Sequence, residues 1–71
     1  MTEYEWRQKF GRHLQDLLNR KDISAYKASK ESGVPLNNWY TYIRGEVTPT
    51  VFTALKLARY FRISLDELLR V

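Results

Sequence analysis

Glycine and proline divide the middle of this chain into pieces too short for a long helix. Between Ser24 and Thr50 the punctuation falls at Gly33, Pro35, Gly45 and Pro49. Ser24 is a good N-cap, because its hydroxyl can accept from a first-turn N–H, and the helix it opens runs to about Ser32. Gly33 suits the left-handed position that closes a helix. Pro35 cannot continue that helix but tolerates the start of the next. The spacing places this next helix from Leu36 to about Ile43, with Trp39, Tyr42 and Ile43 on one side. Gly45 marks a second stop and Glu46–Pro49 a loop. The segment SAYKASKESGVPLNNWYTYIR therefore reads as two short helices joined by a glycine turn.

The flanks read in the same way. Thr2 with Glu5 fits a capping box, in which the two side chains satisfy backbone donors reciprocally. Trp6, Phe10, Leu14, Leu17 and Leu18 follow at helical spacing and end at a polar loop over Asn19–Asp22. Gly11 costs that helix up to about 1 kcal/mol relative to Ala, which fits a place where another helix comes close. Thr50 caps a fourth helix marked by Val51, Ala54, Leu55, Leu57, Ala58 and Phe61. Arg62–Ile63 turns the chain. Ser64 with Glu67 repeats the capping box before a short last helix, whose buried residues are expected to be Leu65, Leu68 and Leu69. The expectation is an all-α fold of five short helices around one core, a single domain over residues 1–71.

Stability has to come from helix packing. Without cysteine, neither a disulfide framework nor a Cys-ligated metal can staple the fold. Ten aromatic rings (two Trp, five Tyr, three Phe) can fill a small core instead. No apolar run approaches the roughly 20 residues of a membrane span. The acidic, amphipathic start MTEYEWRQKF is unlike a signal peptide, so the expected location is the cytoplasm. His13 is the only histidine and has no nucleophile near it, and no phosphate-cradling glycine loop or metal-spaced carboxylate cluster occurs. No enzymatic activity, cofactor, metal or small-molecule substrate is expected. Twelve Lys+Arg against eight Asp+Glu give a net charge of +4, which favours an anionic partner.

Two short helices packed at a steep angle across a tight turn form the helix-turn-helix motif, whose second helix can enter the major groove of DNA. The order and spacing of further fragments extend the likeness. They are Ile23-Ser24 with Tyr26-Lys27, Lys30–Val34, Arg44-Gly45 with Pro49, Leu57-Ala58, and Ile63–Leu68. From about Phe10 to Leu69 the chain resembles the lambda-repressor-like family, the Cro/C1 or XRE type of helix-turn-helix. The resemblance implies a sequence-specific, DNA-binding regulator of transcription of the small phage-repressor or Cro-like kind, acting on a double-stranded operator. It also makes the third helix the recognition helix. Leu36, Asn37, Asn38, Tyr40 and Thr41 then hold the base-facing positions, while Ser24, Lys27 and Arg44 lie at phosphates. Asn pairs bidentately with adenine and Leu36 can meet a thymine methyl, which suits an A·T-containing half-site.

The chain departs from the family pattern in places. Ala25 stands where the family commonly has a Gln that touches the DNA backbone. Ala28 and Trp39 replace a core Leu and a smaller aliphatic residue, a volume-conserving exchange. Ile43 and Leu18 form an apolar pair in place of an ion pair. Trp39 reads foremost as core, Tyr26 and Tyr40 as rings that either cap the core or reach phosphate, and Asn37 and Asn38 as DNA contacts or as caps. A single module makes a small interface, so a homodimer is expected, using the last helix or the helix 4–5 surface. The rival expectation is an antirepressor that docks on another helix-turn-helix regulator, with Leu36, Trp39 and Tyr40 as anchors.

Overall fold

Four of the five helices begin at a hydroxyl. Thr2, Ser24, Thr50 and Ser64 accept from the backbone N–H of Glu5, Lys27, Thr53 and Glu67 respectively, and the first and last of these are complete capping boxes. The computed structural model describes all 71 residues. The helices are α1 (Glu3–Lys21), α2 (Ala25–Ser32), α3 (Leu36–Ile43), α4 (Val51–Phe61) and α5 (Leu65–Leu69), with no strand. Only α3 starts without a side-chain cap, at Pro35, and Asn37 and Asn38 do not supply one. No helix is long and apolar enough to cross a membrane.

α1 runs further than the sequence indicated. Asn19–Lys21 form its last turn instead of a loop, and Asp22 closes it in the left-handed conformation at φ 55°. Asp tolerates that region through its short polar side chain. The N–H of Ile23 returns to the Leu18 carbonyl at 3.1 Å, satisfying a carbonyl that the helix end leaves open. Arg20 and Lys21 lie in that turn, where positive charge complements the helix dipole.

α1 packs on α3, α2 on α3 and α4, and α4 on α5. Gly11 permits the first contact: a Cβ there would lie 2.7 Å from the Tyr42 carbonyl oxygen and closer still to that of Ile43. Two aromatic groups meet across α3. Trp6 stacks on Phe10 at 4.8 Å, and Phe10 meets Tyr42 edge-on. On the other side Trp39 meets Tyr60 and Phe61 edge-on, at 6.2 and 5.9 Å. Leu14, Leu18, Ala28, Val34, Leu57 and Leu68 complete the core. Ala28 and Trp39 are both fully buried, as a volume exchange requires. The Trp39 indole N–H has no hydrogen-bond partner there, so this ring is placed for its volume.

Five positions of the apolar pattern in α1, α4 and α5 are not fully enclosed. Val51 and Leu55 are exposed on α4. Trp6 is half-buried and donates through Nε1 to the Leu69 carbonyl at 3.0 Å, so it joins the first helix to the last. Leu65 and Leu69 are likewise half-buried, leaving Leu68 as the one buried residue of α5.

Candidate nucleic-acid interface

The face of α3 turned away from the core is polar and continuous. Trp39 and Tyr42 point inward and are buried. Asn37, Tyr40 and Arg44 are exposed and Thr41 is half-buried. These four recur at intervals of three and four residues, so they share one stripe along the helix. Leu36 and Asn38 are half-buried at its margin. The side-chain amides of Asn37 and Asn38 make no hydrogen bond within the chain, which leaves their donors and acceptors open. Thr41 donates its hydroxyl hydrogen to the Asn38 carbonyl at 2.9 Å, so it faces outward as an acceptor only.

α2 brings the second group. Ser24 is exposed, and its oxygen accepts the Lys27 N–H at 3.1 Å as the helix cap. Lys27 is exposed without an ion-pair partner, whereas the Lys30 ammonium stands 5.0 Å over the exposed Tyr26 ring. Tyr26 and Tyr40 are thus both surface rings. The first turns of α2, α3 and α4 carry no acidic residue, while those of α1 and α5 carry two each. The positive dipole ends of the three middle helices are therefore left uncompensated, an arrangement that favours a polyanion.

Arg44 has a close neighbour that the sequence reading did not single out. Its Nε and Nη2 donate to the two carboxylate oxygens of Glu46, at 2.8 and 3.2 Å. The turn between them fixes this geometry. Gly45 is left-handed at φ 74°, the Glu46 N–H bonds the Thr41 carbonyl, and the Gly45 N–H bonds that of Tyr42. This is the Schellman pattern of helix closure. The guanidinium bonds hold the Glu46 carboxyl below its ordinary range and push Arg44 up. From across the fold, Arg7 and Gln8 of α1 both donate to the Gly45 carbonyl. Glu3 accepts from Thr48 in the same loop at 2.7 Å. The start of α1 thus braces the end of α3.

A family model described as Helix-turn-helix matches residues 14–68, most of the chain. This chain is a Cro/C1-type helix-turn-helix protein. As such it is a DNA-binding regulator of the double-stranded duplex, with α2 and α3 as its motif. No curated protein and no solved structure matches it. The bracing residues Glu3, Arg7 and Gln8 precede the matched stretch, so this helix-turn-helix protein carries its brace outside the part shared with the family. Trp39, considered as an anchor for a partner protein, is 0% exposed and offers a partner no surface.

Proposed function

We propose that the protein is a sequence-specific transcriptional regulator of the small phage-repressor or Cro-like kind. α3 lies in the major groove, and the ends of α2 and α3 hold phosphates. The observation that carries this reading is the outward stripe of α3, where two Asn amides without partners in the chain adjoin Tyr40, Thr41 and Arg44. Free amides at the start of such a helix can meet base edges, adenine above all. Lys27, Ser24 and the uncompensated helix ends supply the backbone attraction that sets register. The rival reading, docking on another regulator, loses Trp39 as an anchor and keeps only Leu36 and Tyr40.

The test is fluorescence-polarisation binding to a random-sequence duplex pool across a salt series, followed by sequencing of the bound fraction. Binding should weaken with salt, with a log–log slope of about −0.9 for each phosphate neutralised. Lys27→Ala should weaken binding to all sequences alike. Asn37→Ala or Asn38→Ala should flatten the preference at one position by about 1–3 kcal/mol. No binding at the lowest salt would sink the reading and favour a pull-down for a partner regulator.

A further inference from the structure

A cavity of about 440 Å³ lies where the start of α1 meets the end of α5. Its apolar walls are Met1 and Trp6 from the start of the chain, Pro49 in the α3–α4 loop, Val51 and Ala54 on α4, and Leu69 at the end of α5. No residue of α2 or α3 lines it, so what it holds is a separate question from DNA binding. Small-molecule sites are typically hollows of roughly 300–1,000 Å³ with mainly apolar walls and a few placed polar groups. This cavity fits that description.

Two long-range hydrogen bonds fix the walls. The Trp6 indole donates to the Leu69 carbonyl at 3.0 Å, which pins the ring against α5 and keeps it from folding into the space. The Thr48 hydroxyl donates to Glu3 Oε2 at 2.7 Å, which ties the α3–α4 loop to the first turn of α1. A preformed site spares a ligand the cost of ordering it. Phe10 covers one face of the Trp6 ring, and an aromatic guest can meet the rest of it offset or edge-on. Glu3 is the one charged side chain of the lining. Arg7 and Thr48 both bond its Oε2, and Oε1 has no partner in the chain. An open carboxylate oxygen beside apolar walls selects a donor, and a cationic donor above a neutral one.

We propose that this cavity is a binding site for a small organic amine with an aromatic body. The body lies among Trp6, Ala54 and Leu69, and the ammonium donates to Glu3 Oε1. A carboxylic acid of the same size meets Glu3 with like charge, and a neutral alcohol meets it with a weaker bond. The site therefore discriminates by the charge of the head group, while contact with the apolar walls holds the body.

The experiment follows the full chain, at fixed micromolar concentration and without DNA, by proton–nitrogen NMR while 2-phenylethylamine is added to millimolar levels. 2-Phenylethanol and 3-phenylpropionate serve as the neutral and anionic counterparts. The expected result is saturable shifts of the Trp6 indole N–H and of amides in residues 1–6 and 48–54 and at Leu69. The amine should bind about two- to fivefold tighter than the alcohol, the scale of one exposed ion pair, and the acid more weakly than either. Glu3→Gln should erase the preference for the amine while the alcohol still binds. Both compounds are compared on the same variant, so loss of the Arg7 bond affects them alike. No saturable shift at the cavity, shifts centred elsewhere, an amine no tighter than the alcohol, or a preference that survives Glu3→Gln would each overturn the inference. So would the same shifts on concentrating the protein alone, since the cavity would then hold a second copy. Failure to bind duplex removes only the DNA reading and leaves each of these outcomes as it stands.

Discussion

Arg44 and Glu46 show how one carboxylate can set the strength of a binding surface. On the proposed reading of Arg44 as a phosphate contact, a guanidinium held on both sides by its own Glu exchanges those bonds for phosphate, and Glu46 brings a negative charge towards the duplex. Glu46→Gln should therefore tighten DNA binding several-fold and steepen the salt slope by about 0.9, the increment of one more phosphate contact. Arg44→Ala should cost more in that background than in the parent, and equal costs in a double-mutant cycle would count against the competition. Acid stability turns on single carboxylates as well. Glu3, Glu5 and Glu46 all sit below their ordinary value of 4.5: Glu3 chiefly through Thr48, Glu5 through the Thr2 N–H, and Glu46 through Arg44. Groups lowered in the folded state stabilise it above the unfolded value and lose that effect as pH falls through the folded one. The melting temperature should hold from about pH 7 to pH 5 and decline below about pH 4.5, less steeply in Glu5→Gln.

Helices α1 and α3 meet only because Gly11 lacks a Cβ. Gly11→Ala gains up to about 1 kcal/mol of helix propensity. The added methyl nevertheless meets the backbone carbonyls of Tyr42 and Ile43, which cannot swing aside as a side chain would. The net outcome should be a loss of about 1–3 kcal/mol, seen as a fall in melting temperature of roughly 4–8 °C per kcal/mol. The close approach at Gly11 was legible in the sequence, as were the hydroxyl caps and glycine stops, because each is a local signal within four residues. The end of α1 was not, since Asp22 takes the left-handed position usually given to glycine. Val51 and Leu55 belong to the apolar pattern that marks α4 and yet lie open, because periodicity gives a helix face but not what covers it. Arg7 and Gln8 reach Gly45 from 38 and 37 residues away, and no spacing rule joins them. Glu46 is only two residues from Arg44, but their meeting depends on the left-handed Gly45 between them.

Across the whole molecule, the longest-range bond is that from the Trp6 indole to the Leu69 carbonyl, 63 residues apart. Trp6→Phe keeps a stacked ring beside Phe10 but removes this donor, and should lower stability by about 1 kcal/mol, measured by chemical denaturation. The bond also governs how the native state breathes. A helix of five residues such as α5 cannot hold itself in water. It persists through Leu68 in the core and through the indole that grips its last turn. When α5 lifts away, the first turn of α1 loses its partner at the same moment. Amide protons at both places should therefore exchange with solvent together, as one cooperative opening unit, although they sit at opposite ends of the chain.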